Sequence, residues 1–493
     1  MVLIWLMKNK YKKLLLILVI FSICFPYWSF GQNDEYRQVP GLIGLRTDFS
    51  DGAHSLEYLI ELADKRGFQV LFINDHDRKV LEYGIRPFQN ILKRKIEEPS
   101  INKGGPDKYL SLIASASKKY PEMILIPGAE SSPFYYWEGS YFQGNLTVCN
   151  WERHLIILGL EKPKDYEELP ILHNGFSTKY IIPSIPATYF FLLIPLLLSL
   201  YMIKGKRFVR YSGIVILVLT LLLLINDHPF RSSPYDQYHG DQGIAPYQLL
   251  IDYVNSQGGM IFWNHPETRS GRGQLGPIQR NTPPYPQMLL ESQGYTGFAT
   301  LYGERITVTE PGNVWDEILS EYCSGKRTNP VWGISSAEFH KEGQAREKLG
   351  TYPTIFLVKD KSRKEILDAL KKGRMYAYRG RVDWPRLVLE EFSVSGSEAS
   401  QKGVMGEEIS SNGFPIITIL LSTADPERGN SLTVRLIRSG QLIQTFRGET
   451  PLSIYFQDEI LEPGGKIYYR LDVRDKKGRK LVSNPIFVNF RKP

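Results

Sequence analysis

Seven histidine, aspartate and glutamate residues stand at the ends of short apolar segments, where their side chains could hold a metal. They are Asp51, His76, Glu130, His154, His265, Glu338 and His340. Most of them follow an apolar segment, as in FINDH, ILIPGAE and IFWNH, whereas His154 precedes the segment LIILGL. Imidazole and carboxylate groups are the usual ligands of Zn, Mn and Fe in hydrolytic sites. These residue types therefore predict a divalent metal centre and hydrolysis by metal-activated water.

The segments around these residues alternate between amphipathic helices and short buried strands. Residues 55–66 place apolar side chains at helical spacing, and the apolar segment FQVLFI follows. The same order recurs in KYLSLIASASKKY with MILI, in YQLLIDYVNSQ with MIFW, and in VWDEILSEYC with VWGIS. Helices that alternate with short apolar strands indicate a parallel α/β sheet or barrel. In such a barrel the chemistry lies at the carboxyl ends of the strands, where the polar residues occur here.

The pattern changes from about Val382, where alternating apolar and polar residues replace the helices. LTVRLIR, QLIQTF and KIYYRLDV alternate in this way and are separated by turn sequences such as RDKKGRK. Such alternation is typical of antiparallel strands, so we expect a small antiparallel β-sandwich over residues 382–493. This region holds no cluster of catalytic residue types, and we interpret it as a packing or recognition module.

The net charge of +8 comes from two basic stretches that adjoin apolar segments. The first consists of Lys8, Lys10, Lys12 and Lys13, and the second of Lys204, Lys206, Arg207 and Arg210. Without these residues, the basic and acidic residues are equal in number at 52 each. The charge excess therefore favours a role in membrane topology, and we expect no nucleic-acid partner.

Two regions predict contact with a membrane. In residues 1–31 a lysine-rich stretch precedes a short apolar run, which indicates a signal peptide or an N-terminal anchor. Residues 180–226 predict a two-helix transmembrane hairpin joined by the basic loop KGKR, which the positive-inside rule places in the cytoplasm. We therefore expect a membrane-anchored protein whose soluble parts lie on the periplasmic or extracellular side. The hairpin interrupts an α/β domain that comprises residues 40–179 and 227–381.

The motifs TDFSDG, NDHD, PGAE, RHLIILGL, NHP and EFH, in this order, resemble the polymerase and histidinol phosphatase (PHP) superfamily of metal-dependent phosphoesterases. The later segments YYRLDV and SNPIFV are similar to the β-domain of its carbaryl-hydrolase-like branch. The resemblance covers most of the chain, and the ordered set is more specific than any single motif. It implies a distorted (β/α)7 PHP barrel that the hairpin interrupts and the β-sandwich follows.

The resemblance also implies a ligand set for each of up to three metals. Two of these sets are complete here: Glu130, His154 and His265 match one, and Asp51, His76 and His340 match another. We therefore expect two divalent ions (Zn, Mn or Fe) per chain.

The third set is incomplete, because Gly44 and Arg46 stand where the family has a pair of histidines. Glu130 and Glu338 match the two carboxylates of this set. Arg46 is a permanent cation that could pair with either carboxylate and replace the charge of the missing metal. It could also clamp a substrate phosphate, or it could block a decayed site. We assign Arg46 the catalytic role.

These observations predict a membrane-tethered extracytoplasmic hydrolase whose partners are the membrane and a small-molecule ester. Phosphate esters fit the resemblance best. Carbamate, amide or carboxylic esters are an alternative within the enzyme class. A catalytically impaired PHP-like binding protein is the alternative outside it.

Overall fold

The structure is a computed structural model, and it describes residues 36–184, 188–343, 348–396, 402–424, 430–460 and 465–490. The predicted signal peptide or anchor, residues 1–31, lies outside the described residues.

The helices and strands follow one another in three stretches. The first contains β1 (Arg37–Leu45), α1 (Leu56–Lys65), β2 (Val70–Ile73), β3 (Val80–Gly84), β4 (Lys93–Glu97), α2 (Ile101–Gly104), α3 (Pro106–Lys119), β5 (Ile124–Ser131), β6 (Tyr136–Glu138), β7 (Thr147–Cys149), β8 (Leu155–Leu158) and α4 (Pro163–Glu167). The second contains α5 (Ile181–Ser184), α6 (Thr188–Met202), α7 (Arg207–Asn226), α8 (Ala245–Ser256), β9 (Met260–Trp263), β10 (Arg272–Leu275), β11 (Ile278–Asn281), α9 (Gln287–Glu291), β12 (Gly297–Leu301), α10 (Val314–Cys323), β13 (Trp332–Ser335), β14 (Thr354–Val358), α11 (Arg363–Lys372) and β15 (Met375–Arg379). The third contains β16 (Leu387–Ser395), β17 (Lys402–Val404), β18 (Glu408–Ser411), β19 (Ile416–Thr423), β20 (Ser431–Arg438), β21 (Gln441–Glu449), β22 (Leu452–Gln457), β23 (Gly465–Asp475), β24 (Lys480–Ser483) and β25 (Ile486–Phe490).

Seven strands of the largest sheet lie in the order β13-β12-β9-β8-β5-β2-β1. The backbone N–H of Ala337 donates to Ile43 O at 2.7 Å, and that of Phe339 donates to Gly44 O at 3.0 Å. These bonds join the segment after β13 to β1, so the seven strands form a ring. The mixed α/β architecture with a large sheet is confirmed.

One strand runs against the predicted direction. β1, β2 and β5 are parallel, and so are β9, β12 and β13, but β8 is antiparallel to both β5 and β9. The segment between β5 and β8 contains strands β6 and β7 and lacks the crossover helix that a parallel return requires. The expectation of a wholly parallel sheet is therefore wrong at β8.

Helix α1 shows why the amphipathic segments form helices beside this sheet. It begins after Ser55, whose Oγ accepts a hydrogen bond from the backbone N–H of Tyr58 at 3.3 Å. Its buried residues are Leu56, Leu59, Ile60 and Ala63, which share one helical face. With that face of α1 buried, the chain continues into β2, and the NDHD segment directly follows β2.

The region after residue 382 consists of β-strands. One sheet has the order β17-β16-β19-β22, and a second contains β24, β23, β20 and β21 and continues from β15 of the large sheet. Strand β19 alternates between half-buried and buried residues, as the sequence pattern predicts. Residues Gln38–Pro493 form one compact unit, so the division near residue 382 stays a prediction.

Two apolar helices, α6 and α7, occupy the predicted hairpin and pack against each other. The hydroxyl of Tyr189 donates to Leu224 O at 2.8 Å between them. In the described part of the chain, α7 alone is long and apolar enough to cross a membrane, because the apolar stretch of α6 covers only Tyr189–Met202. The prediction of two spanning helices is therefore not supported.

Candidate metal centre

The predicted ligands lie at one edge of the seven-stranded sheet. Glu130 is the penultimate residue of β5, and His265 follows two residues after the last residue of β9. His154 comes directly before β8. Because β8 is antiparallel to its neighbours, its first residue lies at the edge where the neighbouring strands end. The direction of β8 thus explains why one ligand precedes its strand.

Glu130, His154, His265 and Glu338 form a buried group whose ligand atoms all lie within 4.8 Å of one another. Glu130 Oε1 is 3.2 Å from His154 Nδ1 and 3.8 Å from His265 Nε2. The same two imidazole nitrogens are 3.2 Å apart, and His265 Nε2 is 2.8 Å from Glu338 Oε1. Among the described residues, no other set of three or more such side chains converges this closely.

Two polar neighbours orient this group. Asn264 Nδ2 donates to Glu130 Oε1 at 2.7 Å. The Tyr285 hydroxyl donates to Asn264 O at 2.5 Å and lies 3.2 Å from His265 Nδ1. Because the hydroxyl has a single proton, it accepts from His265 Nδ1. His265 Nε2 faces Glu130 and Glu338, so this ring nitrogen is the one that would bind a metal.

The protonation states of this group also fit a cation. Burial and the nearby charge of His265 lower the pKa of His154 to about 3, so its imidazole is neutral near pH 7. Burial alone would raise the pKa of Glu338, but the neighbouring His265 and Arg46 lower it to about 2. Neutral imidazole and ionised carboxylate are the forms that bind metals. Two imidazoles and two carboxylates thus fit a divalent ion such as Zn, Mn or Fe.

The Arg46 guanidinium lies between this group and the second predicted ligand set. It contacts Glu130 Oε2 and His76 Nε2 directly, and its Nη1 is 3.6 Å from Asp51 Oδ1. The Arg46 side chain is only 3% exposed. Of the roles that the sequence left open, the contacts favour a cation paired with Glu130.

The second predicted set is close together, but it shares its carboxylate with cations. Asp51 Oδ2 is 3.3 Å from His76 Nε2, 3.7 Å from His340 Nε2 and 3.1 Å from Lys79 Nζ. Burial alone would raise the pKa of Asp51, but the hydrogen bond from His76 and the charges of Arg46 and Lys79 lower it far more. Arg46 and Lys79 thus already balance the negative charge of the Asp51 carboxylate, which a second ion would need. A count of two metals per chain stays a prediction.

Asp75 holds the loop that carries Asp51. Its carboxylate accepts hydrogen bonds from the backbone N–H of Thr47 at 2.9 Å, the Thr47 hydroxyl at 2.8 Å and the Ser50 hydroxyl at 2.5 Å. Burial raises the pKa of Asp75 to about 6 despite these bonds. Asp75 therefore positions the Ser50-Asp51-Gly52 turn.

Gly44 adopts a backbone conformation that residues with a side chain rarely adopt. Its φ is +83°, in the left-handed region that favours glycine. A Cβ atom here would lie 2.7 Å from Ser336 Oγ and 3.2 Å from the backbone nitrogen of Glu338. The backbone N–H of Gly44 donates to Asn74 Oδ1 at 2.9 Å. A side chain at this position would therefore require Ser336 or the backbone around Glu338 to shift.

A pocket of about 270 Å³ opens onto these residues. Its lining includes charged and aromatic residues that the sequence did not single out, namely Arg78, Lys79, Trp151, Glu152 and Arg280. Arg78 and Lys79 directly follow the NDHD segment, so that position was a usable signal for them. Arg280 lies on β11, far from every motif, and nothing in the sequence near it pointed to the site.

Comparison with protein-family models gives no match, and comparison with curated proteins gives none either. Among solved structures, the chain is similar to a two-domain protein from Bacteroides vulgatus containing a predicted PHP-like metal-dependent phosphoesterase, with 12% identity and a TM-score of 0.34 over 88% of this chain and 90% of that one. It is also similar to a protein from Bifidobacterium adolescentis described as a metal-dependent phosphoesterase, with 15% identity and a TM-score of 0.30 over 68% of this chain and 98% of that one. At such TM-scores these likenesses carry no weight for function.

Proposed function

We propose that this chain is a metal-dependent phosphoesterase of the PHP type, with one divalent ion held by Glu130, His154, His265 and Glu338. The observation that carries the proposal is the convergence of these four donors in a pocket that arginine and lysine side chains also line. A bound ion would supply Lewis acidity and activate a water molecule for attack on an ester.

The side chains around the four donors prepare the site for an anionic substrate. Arg46 holds a fixed positive charge against Glu130, and its planar guanidinium suits the oxygens of a phosphate. Lys79 and Arg280 add positive charge to the lining of the pocket. Carbamates, amides and carboxylic esters lack the negative charge that this lining would attract, so phosphate esters are the preferred substrate class.

The test uses the full chain purified in detergent. We expect about one bound metal per chain by elemental analysis, and turnover of bis(p-nitrophenyl) phosphate that a chelator abolishes and added metal restores. p-Nitrophenyl acetate is the comparison substrate, and Glu130→Gln is the variant that controls for a contaminating esterase. Bound metal without turnover of either ester would reject the enzyme, and two metals per chain would place a second ion at Asp51.

A binding protein is the second candidate function, and one observation favours it. Arg46 contacts Glu130 directly and so competes with an ion for that carboxylate. If Arg46 keeps the ion out, the pocket would bind an anionic ligand without hydrolysing it. Equilibrium binding of inorganic phosphate by the metal-free protein, together with absent turnover in the metal-loaded protein, would support this candidate.

We also propose that helices α6 and α7 enter a membrane as a pair. Helix α7 spans it, and the shorter apolar stretch of α6 brings the chain through it, so that the soluble part on both sides of the pair lies outside the cytoplasm. The support is the apolar character of α7, the packing of α6 on it, and the basic residues 204–210 at their connection. A periplasm-active reporter fused after Pro493 should be active, and the same reporter inserted in the loop at Gly205 should be inactive. The reverse pattern would reject this orientation.

A further inference from the structure

An apolar groove of about 690 Å³ lies away from the metal centre, between the β3–β4 hairpin and the small sheet formed by β6, β7, β10 and β11. Its lining includes Ile85, Leu92 and Ile96 of the hairpin and Trp137, Phe142 and Ile278 of the opposite wall. Phe142 is 77% exposed and Leu92 is 57% exposed. Protein surfaces rarely expose so many large apolar side chains together to water, so we expect this groove to bind an apolar ligand or partner.

The hairpin is tied to the end of the helix that is long enough to cross a membrane. Asn226 is the last residue of α7, and Asn90 lies in the loop between β3 and β4. The backbone N–H of Asn90 donates to Asn226 Oδ1 at 2.8 Å, and Asn90 Nδ2 donates to Asn226 O at 2.9 Å. If α7 spans a bilayer, these two bonds place the mouth of the groove at the bilayer surface.

The charged residues of the groove and the aromatic residues near the end of α7 suit a position at the bilayer surface. Lys93 and Arg94 are the charged residues of its lining in the described chain. Lys93 Nζ pairs with Glu82 Oε2 at 2.6 Å, so Arg94 is the cation that would face a headgroup. Basic side chains beside apolar surface are attracted to anionic headgroups while their aliphatic parts stay among the lipids. Just after α7, Phe230 stacks on Phe176 with ring centroids 4.9 Å apart, and both rings are exposed. Aromatic side chains are common at the membrane–water interface for the same reason.

We propose that the groove binds the acyl chains of a membrane phospholipid, with Arg94 beside the headgroup phosphate. The inference rests on the proposed membrane attachment through α7. The volume of the groove falls within the range of roughly 300–1,000 Å³ that is typical of small-molecule sites. Its concave shape suits flexible chains, and the helix next to it brings lipid to its mouth at high local concentration.

Site-specific photo-crosslinking in the full chain tests the groove directly. p-Benzoylphenylalanine replaces Phe142 in the groove, or Tyr455 on β22, which is 72% exposed and serves as a matched aromatic control. The protein is placed in nanodiscs of phosphatidylglycerol and phosphatidylcholine whose acyl chains carry an alkyne. After illumination, we expect lipid adducts at position 142 several-fold above those at position 455. Equal labelling at the two positions, or an adduct at 142 that contains only protein, would overturn the proposal.

A third probe separates failure of the groove from failure of the membrane attachment. The same amino acid replaces Val218, which is exposed on α7. Labelling at 218 without labelling at 142 would reject the groove and leave the attachment standing, whereas no labelling at either would reject both. A variant carrying Ile85→Glu and Leu92→Glu should lose labelling at 142 while its metal content stays unchanged. Unchanged labelling in that variant would also contradict the groove.

Discussion

Two buried arginines of this protein have opposite surroundings. Arg470 on β23 is fully buried, and its guanidinium donates to both oxygens of Asp316 on α10, at 2.7 Å and 2.6 Å. Arg46 is almost as deeply buried, but it contacts Glu130 and His76 together and lines an open pocket. Burial and ion pairing are therefore common to both arginines, and they do not by themselves distinguish a structural link from a functional site.

The difference lies in what surrounds the pair. The Asp316 carboxylate also accepts a hydrogen bond from the Tyr468 hydroxyl at 2.8 Å, and Trp315 stacks near the guanidinium, with its ring centroid 5.0 Å from Arg470 Cζ. One cation meets one carboxylate there, and aromatic side chains close the cluster. Around Arg46, the carboxylates and imidazoles exceed what one guanidinium can satisfy, so there is capacity for a further cation. That surplus distinguishes the candidate metal centre from the Arg470 cluster.

Glu130→Gln should give the largest effect, because Glu130 is both a proposed metal ligand and the partner of Arg46. The amide is a poor ligand and leaves the Arg46 charge buried without its anion, which costs about 3–5 kcal/mol for a broken buried pair. We expect loss of bound metal by elemental analysis and a clear fall in unfolding temperature. Glu152→Gln is the control, since Glu152 lines the pocket and pairs with Arg280 at 3.1 Å. Retention of full metal content by Glu130→Gln would remove Glu130 from the ligand set.

Asp316→Ala should destabilise the protein without touching the metal centre. It leaves Arg470 buried and unpaired, with an expected cost of about 3–5 kcal/mol measured by urea unfolding. The folded fraction should hold as much metal as the wild type. The double variant Asp316→Leu with Arg470→Met should recover most of the lost stability, because it removes both charges together. A change in metal content of the folded single variant would show that the two arginine clusters are coupled.

The grouping of Glu130, His154 and His265 could be predicted from the sequence, whereas the place of Glu338 beside them and the state of the second set could not. Polar residues at the ends of apolar segments indicate a shared sheet edge whatever the identity of the metal, so the position of Glu130 and His265 could be predicted. The direction of β8 could not be predicted, because the length and periodicity of an apolar segment are the same in parallel and antiparallel strands. Whether the Asp51 carboxylate is free to bind a metal depends on where the long side chains of Arg46 and Lys79 end. The spacing of residues in the sequence does not specify this.

Gly44 illustrates a second reason why sequence reasoning stopped short. In the sequence it is simply a position where a ligand is missing, and a histidine could be imagined there. The structure gives it a φ of +83°, and a Cβ atom here would lie 2.7 Å from Ser336 Oγ and 3.2 Å from the backbone nitrogen of Glu338. Backbone conformation at one residue depends on contacts with a segment almost 300 positions later, so local sequence cannot reveal it. The absent histidine is thus built into the packing of β1 against the segment after β13.

Arg46→Met tests whether this cation contributes to turnover. With the ion bound, removal of the guanidinium should reduce kcat by about 10²–10³, or about 2.7–4 kcal/mol, which is typical of one lost charge-stabilising donor in a dry site. Metal content should stay constant, because the variant removes a competitor for Glu130. Arg46→Lys keeps the charge but not the planar guanidinium, so its kcat should lie between those of the wild type and Arg46→Met. If Arg46→Met turns over the phosphodiester as fast as the wild type, or faster, Arg46 is a blocking residue. Arg46 would then have no catalytic role to distinguish it from Arg470.

The smallest effect is expected for Lys79→Met, because this cation is partly exposed and shares its charge among carboxylates. Lys79 Nζ is 3.1 Å from Asp51 Oδ2 and 2.9 Å from Glu98 Oε2, and its side chain is 21% exposed. Solvent screening limits such a pair to about 1 kcal/mol, so KM for an anionic ester should rise by at most about fivefold while kcat stays constant. The rise should shrink as salt is added, since exposed charges are screened. Lys95→Met is the matched control, because Lys95 pairs with Glu97 and does not line the pocket. A fall in kcat larger than that of Arg46→Met would show that Lys79, and not the buried arginine, carries the charge that the reaction needs.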